Sequence, residues 1–532
     1  MKRTITSLFL LSLSFSYAQS TNTVTLLKNI NPVGPSGTSE TTLYNGKFYF
    51  SADDNVHGEE LWASDGTTNG TTLIKDINPD GGSSITSLTV VNDKLVFSAS
   101  NGANGIELWV TDGTEEGTVM LLDINPGEEN SVPLFFKEVG NKVYFQANNG
   151  TNGYELWVTD GTAAGTTMLE INPTGDSYPY GFTEYNGKAY FQADNGTNGY
   201  ELWSSDGTAA GTAMVKDVFA TGDSSPRSFK VFNNLLYFRA DDDRADELWV
   251  TDGTEAGTTF FAEINLTEAD GSSINELTEL NGKLYFRARN ADENFELWTT
   301  DGTVAGTTIV KDILPGAQGS FPANLTVYNN KIYFQATDGV NGTELWVTDG
   351  TEAGTVMVKD ITAGVSSGAP NDLFVFNNLL YFVAQDGTNG RELWVTDGTE
   401  ANTFKPVRGA LGIDPLYYTP HFTVLNNELF FKATYNGTDQ EIYKLTAPTA
   451  GVTNPALAAN IKLYPNPATS ILNVAVNNAT IQETVVYNLT GNKVLQSNAT
   501  NAIDVSVLSS GLYIVKVVTD NNEVFYNKIF KK

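Results

Sequence analysis

In residues 325–361 the apolar side chains come in four short runs. They are LTVYN (325–329), KIYFQAT (331–337), TELWVTD (343–349) and TVMVKDI (355–361). Each run is rich in Val, Ile, Tyr, Phe and Thr, and Asn, Gly or Asp separates it from the next. That is the pattern of short β-strands joined by turns. Asn-Gly at 45–46, 186–187 and 281–282, and Asn-Asn at 329–330 and 377–378, stand between first and second runs. Such pairs suit a hairpin turn, which needs positive φ. No stretch of useful length has a helical period. The pattern therefore predicts an all-β chain and excludes βαβ repeats.

The block of four runs recurs. Its ruler is Trp62, Trp109, Trp157, Trp203, Trp249, Trp298, Trp346 and Trp394, spaced by 47, 48, 46, 46, 49, 48 and 48 residues. A ninth unit follows with Tyr443 in the tryptophan place. A period near 48 with four strands matches a propeller blade. The register predicts a large β-propeller of nine four-stranded units, although eight is the commoner size for a big ring. The chain ends fit each other. TVTLLKNINP (23–32) reads like the fourth run TTLIKDINP (71–79), and the last unit, 422–445, supplies only three runs. A ring latched by the N-terminal strand uses both and leaves no open sheet edge.

Around the tryptophans one string returns, as in ELWVTDGTEAGT (344–355). Its glutamate stands in all nine units, at Glu60, Glu107, Glu155, Glu201, Glu247, Glu296, Glu344, Glu392 and Glu441. Its aspartate stands in eight, at Asp65, Asp112, Asp160, Asp206, Asp252, Asp301, Asp349 and Asp397. A residue needed once for chemistry is not needed in every blade, so both rings of acids read as structure. The tryptophan is expected to fill the gap between blades, and its removal to cost roughly 3–5 kcal/mol. The aspartate and glycines are expected to build the turn into the fourth strand. Calcium on these acids is the alternative use; no other cofactor is expected. The string resembles the ELWxxDGT repeat family of secreted bacterial proteins over residues 24–445. That resemblance implies an architecture and no particular reaction.

Charge narrows the partners. The 532 residues hold 62 acids and 31 bases, a net charge of −31, which argues against nucleic acid and anionic membrane as ligands. There is no cysteine, and the only histidines are His57 and His421. Thiol chemistry is excluded, and a histidine-based zinc site or a Ser-His-Asp arrangement is disfavoured.

Both ends carry addresses. Residues 1–18 read as a signal peptide, with Lys2 and Arg3, the apolar run Ile5–Phe15 and small residues Ser16 and Ala18 before the cut. That implies the Sec machinery and a signal peptidase. No later stretch is apolar enough to cross a membrane as a helix. Residues 446–460 read as a linker. Residues 461–532 return to β alternation with a different period, which predicts a small β-sandwich. Tyr464-Pro465-Asn466-Pro467, the VYNLTG turn ending at Gly491, Gly511-Leu512-Tyr513 and the closing lysines resemble the type A C-terminal sorting domain of the type IX secretion system. The resemblance implies the type IX translocon and its sortase as partners. It also implies a location at the cell surface or outside the cell.

Departures from the repeat mark candidate ligand residues. Arg239 and Arg287 replace a glutamine of other blades, with Arg289, Asp241, Asp242, Asp243 and Arg244 beside them. Tyr178 and Tyr180 stand in one loop, and Tyr417, Tyr418 and His421 in another. Guanidiniums with carboxylates and exposed tyrosines suit an extracellular glycan, including an acidic one, or a surface protein. The expected function is a binding or adhesion scaffold with no catalytic residue assigned. A glycan-processing enzyme and a structural surface-layer component are the alternatives.

Overall fold

The structure is a computed structural model. It describes residues 23–532 apart from 244, 263, 265–270, 291–293, 317, 389, 407–414, 417–418, 436–439, 447–460, 466, 477–479, 489–492, 499–500 and 521–523. Every regular element among the described residues is a β-strand. Two compact units form, one over Val24–Leu445 and one over Thr446–Lys532.

The larger unit is a closed ring of nine antiparallel sheets, a nine-bladed β-propeller. Blades 1 to 8 span 42–75, 86–122, 134–169, 180–216, 227–262, 275–311, 323–359 and 371–396. Blade 9 joins 423–446 to the strand Thr23–Leu26. The first strands of neighbouring blades touch and form the inner wall. Apolar faces of successive blades interlock. Between blades 6 and 7, Leu280, Tyr285, Leu297, Val310 and Ile313 meet Ile332, Phe334, Ala336 and Trp346 in one buried cluster. Trp109, Trp157, Trp203, Trp249 and Trp394 occupy the matching place at other junctions. The tryptophan thus fills the space between blades, because both faces of its strand are covered. Each first strand of blades 2 to 8 carries a bulge whose residue has positive φ, as at Phe135 (62°), Ser228 (56°) and Glu276 (65°).

The ring closes through its two ends. The strand Thr23–Leu26 pairs with Glu441–Thr446, and Leu27 N donates to Ile442 O at 3.0 Å. Phe48 and Phe50 of blade 1 pack on Phe430 and Ile442 of blade 9. Phe374 of blade 8 meets Phe422 ahead of blade 9, with centroids 5.4 Å apart.

One blade departs from the expected four strands. Blade 8 has three, and Val395 and Phe404 form only an isolated bridge where its fourth would run. Two residues past that bridge stands Pro406, which has no N–H to continue a ladder. Lys405 turns inward instead, 2.6 Å from Asp386 and in contact with Glu392.

The smaller unit is a two-sheet sandwich. Ile461–Tyr464, Ile471–Val476 and Ala502–Asp504 form one sheet; the other four strands form the second. Leu472, Val474 and Ile503 pack against Val486, Val515, Val517 and Ile529. Tyr513 is in that core and its hydroxyl donates to Ser509 O at 3.0 Å. Tyr464 is about half exposed beside Pro465, Pro467 follows, and Gly511 opens the strand Gly511–Thr519. Asn466 and Gly491 lie outside the described residues.

Candidate functional site

The two repeated acids are consumed by the scaffold. Each glutamate of the string is buried, with Glu60, Glu107, Glu155, Glu201, Glu296, Glu344 and Glu441 fully so. Glu344 accepts backbone N–H bonds from Ile361 at 2.8 Å and Gly368 at 2.7 Å, on the chain that crosses to blade 8. In other blades a serine just before the next first strand completes the set. Ser131 Oγ donates to Glu107 at 2.7 Å, Ser177 to Glu155 at 2.9 Å and Ser224 to Glu201 at 2.6 Å. Ser272 and Ser320 do the same for Glu247 and Glu296. Glu392 is the exception, and Lys405 takes the serine's place. Burial raises the carboxyls of Glu60, Glu107, Glu201 and Glu296 above their usual range, and those of Glu155 and Glu344 to about 7. Hydrogen bonds from the crossing chain oppose the shift without cancelling it.

The aspartates close a turn. Asp349 Oδ1 accepts from Thr351 N at 3.0 Å and Thr351 Oγ1 at 2.7 Å. Thr351 Oγ1 in turn accepts from Gly354 N at 2.9 Å. Bonds from threonine hold Asp349, and likewise Asp65, Asp112, Asp160, Asp206, Asp252 and Asp301, below the usual carboxylate range. Gly350 has φ 91°, and a Cβ there would overlap the Tyr285 hydroxyl of the preceding blade. A Cβ at Gly354 would overlap the Asp349 carboxylate. Blade 8 has Asn402 in that second place, and its amide reaches Asp397 Oδ2 at 2.7 Å. Among the described residues no three His, Cys, Asp or Glu side chains gather as a metal site would require.

These turns share one face of the ring with the hairpins between first and second strands. Asn92, in such a hairpin, donates to Asp160 O of the next blade at 2.9 Å. The opposite face holds the loops between second and third strands and the crossings between blades. A Cβ at Gly342 of one such loop would overlap the Ser366 carbonyl of the adjoining crossing. Here the crossings follow one plan with local changes. The carbonyl before the repeated glutamate accepts the serine N–H at Ser83, Ser131, Ser177, Ser272 and Ser320, and the N–H of the next residue at Ser225 and Ala369. The residue after that serine has positive φ, from 42° at Tyr178 to 52° at Ser84. These two positions vary while their neighbours do not.

From blade 3 to blade 4 they are Tyr154 and Tyr178, stacked at 5.5 Å and 24°. Tyr180 begins the first strand of blade 4 and meets Phe135 edge-on at 4.8 Å. Tyr178, Tyr180 and Phe135 are all exposed. Burial of hydrophobic groups does not explain them; they form an aromatic ledge.

From blade 5 to blade 6 the site is ionic. Arg239 pairs with Asp246, and Arg227 lies 3.7 Å from the same carboxylate. Burial lowers Arg239 to about 10, with Arg227 acting in the same sense. Asp241 stands on the same strand; burial raises its pKa against the pull of Arg227 and Arg239. Asp242 is buried. Between the first strands of these blades lies a cavity of about 340 Å³ lined by Ser228, Phe229, Asn275 and Glu276 among others.

From blade 6 to blade 7 the positions are Phe295 and Phe321, 5.4 Å apart. Arg287 lies over Phe295 with its guanidinium carbon 5.3 Å from the ring centroid, and Arg289 lies at 6.0 Å. Arg289 Nε also donates to Gly271 O at 3.2 Å. The expected arginines therefore divide between two crossings, and the tyrosines stand at a third. Tyr417, Tyr418 and Arg244 lie outside the described residues. His421 occupies the crossing into blade 9, with Nδ1 3.5 Å from Glu40. His57 bonds Asp54 at 2.8 Å. Sequence reading passed over Phe135, Tyr154, Phe295 and Phe321. For the last three the signal was positional: one residue before the constant glutamate, or one after the constant serine; Phe135 is the bulge residue of its first strand.

Residues 462–532 match the family described as the secretion system C-terminal sorting domain. A propeller that carries this domain is an exported protein of the type IX route, delivered across the outer membrane to the cell surface or medium. No curated protein matches the chain. Among solved structures it is similar to one of a pair of prolyl endopeptidases, with 13% identity and a TM-score of 0.38 over 83% of this chain and 55% of that one. It is similar to a puromycin hydrolase at 15% identity and a TM-score of 0.34, over 67% and 59% of the chains. It is also similar to the β-propeller domain of the Trilobed protease from Pyrococcus furiosus, at 10% identity and a TM-score of 0.33, over 61% and 98%. The chain thus spans little more than half the length of the first two. Among the described residues no helix is long and apolar enough to cross a membrane.

Proposed function

We propose that the propeller is a binding scaffold for an extracellular glycan, displayed on the cell surface or released, and that the crossing face takes the ligand. One observation carries this reading. The Asp-Gly-Thr turns spend their polar groups internally, whereas the crossing face exposes the rings of Phe135, Tyr178, Tyr180 and Phe321, with half-buried guanidiniums at Arg287 and Arg289. Exposed Tyr and Phe are the side chains that stack on the apolar faces of sugars, and exposing them to water without a ligand is unfavourable. Arg239, Asp241, Asp242, Arg287, Arg289, Tyr178, Tyr180, Tyr417 and Tyr418 are the proposed ligand residues, joined by Phe135, Tyr154, Phe295 and Phe321. Residues 1–18 are proposed as a cleaved signal peptide handled by the Sec machinery. The repeat region is proposed as a member of the ELWxxDGT class, and the sorting domain as a substrate of the type IX translocon and sortase.

A glycan array probed with the full mature chain tests the function. Binding that Tyr178→Ala or Phe321→Ala weakens without changing the melting temperature supports it. Binding only to protein partners, or hydrolysis of a polysaccharide, contradicts it. A chelator arm reads calcium: the melting temperature shifts only if a bound ion stabilises the fold.

A further inference from the structure

We infer that Arg287 is the anion-recognising residue of the crossing face, and that the glycan carries carboxylate or sulfate groups. This rests on the glycan reading above and names the chemistry of the ligand.

The inference begins with elimination. A folded protein pairs its half-buried cations, because desolvation penalises an unpaired one. Five other cations of blades 5 to 9 have partners. Arg239 and Arg227 share Asp246. Arg289 donates to Gly271 O. Lys432 Nζ donates to Thr38 O at 2.9 Å, and Lys405 lies 2.6 Å from Asp386. Arg287 alone of this set makes no hydrogen bond or ion pair among the described residues, and its Nε is buried without an acceptor. Its support is the Phe295 ring beneath it. Stacking on an aromatic ring holds a guanidinium in place and leaves its forked N–H groups free for an oxyanion.

The surroundings fit a sugar acid. Phe321 is 49% exposed beside Phe295, and its backbone sits at φ 50°, where a bulky side chain is disfavoured. A glycine or asparagine would meet less strain there, so the ring stands at this edge against the backbone preference. An apolar plane next to an unpaired fork is complementary to a pyranose ring bearing a carboxylate or sulfate. The net charge of −31 repels polyanions in general, so attraction of one requires a local site.

The test uses the full chain and three polymers, measured by affinity electrophoresis at fixed ionic strength. They are polygalacturonate, a sulfated galactan and an uncharged galactan. The first two separate carboxylate from sulfate. Wild type is expected to bind one charged polymer at least about tenfold more tightly than the uncharged one, and Arg287→Gln to remove that preference. Because Arg287 holds no partner among the described residues, Arg287→Gln is expected to keep the wild-type melting temperature. Should it not fold, Arg287→Lys retains the charge without the fork and is expected to lose part of the preference. Unchanged preference in either folded variant overturns the role of Arg287. Equal binding of charged and uncharged polymers by wild type overturns the anionic class and leaves the glycan reading standing. Failure to bind any polymer overturns both.

Discussion

Ser36 donates its hydroxyl to Glu441 at 2.9 Å, although 405 positions separate them in the chain. Ser36 N also reaches Gln440 O at 3.2 Å, and Asn31 N reaches Glu441 Oε1 at 3.2 Å. This is the serine–glutamate bond set that joins blades 2 to 6 to their successors, used once more to join the last blade to the first. The latch is therefore an ordinary crossing that happens to be made by the two ends. Glu441→Ala should leave buried Asn31 N without this acceptor, remove one bond from the Ser36 hydroxyl and cost about 2–4 kcal/mol. Urea unfolding of the variant against wild type measures it, and Ser36→Ala should cost about 1 kcal/mol.

The buried glutamates set a pH dependence. Glu155 and Glu344 titrate at about 7 in the fold, against 4.5 in an ordinary setting. Between those values the folded state holds protons that the unfolded state has released. Their contribution is full below 4.5 and declines as pH rises to about 7. The Asp-Gly-Thr aspartates act oppositely: their lowered pKa stabilises above the usual 3.8 and is lost in stronger acid. Thermal unfolding should therefore show a maximum near pH 4, roughly between the two limbs. The double variant Glu155→Gln, Glu344→Gln should flatten the limb above 4.5 and leave the acid limb in place.

Two glycines separate backbone strain from crowding. Gly350 and Gly364 have similar φ, 91° and 87°, but only Gly350 has a neighbour where a Cβ would go. Gly364→Ala should cost about 1–2 kcal/mol for the left-handed backbone alone. Gly350→Ala adds the displaced Tyr285 and should cost about 3 kcal/mol or more. Chemical denaturation of the two variants side by side gives the difference.

Trp346→Ala should open a void between blades 6 and 7 and cost roughly 3–5 kcal/mol. Calorimetry would show one lowered transition if the ring unfolds as a unit, since every blade rests on two others.

The nine-fold register and the latch were legible because the string repeats at nearly fixed spacing and the ends complement each other. The job of the repeated glutamate was less so. Its donors lie 17 and 24 positions ahead, as with Ile361 and Gly368 for Glu344, and belong partly to the crossing into another blade. No local pattern displays a bond between blades. The missing strand of blade 8 was hidden because Thr403 and Phe404 read like any fourth run until Pro406. At the candidate site, composition pointed to the arginines but could not rank them. Arg239 and Arg287 hold the same position in adjacent blades, yet Asp246 neutralises the first while Phe295 supports the second. That difference arises from the residue before each glutamate, a position the repeat leaves free.

The closed ring is tested most directly at Thr41 and Thr423, whose hydroxyls touch across the join between blades 1 and 9. The chain has no cysteine, so Thr41→Cys with Thr423→Cys offers a single pair. Mass spectrometry of the monomer after mild oxidation should find one intramolecular disulfide linking these positions. Two free thiols in the monomer, or disulfides formed only between molecules, would contradict the ring.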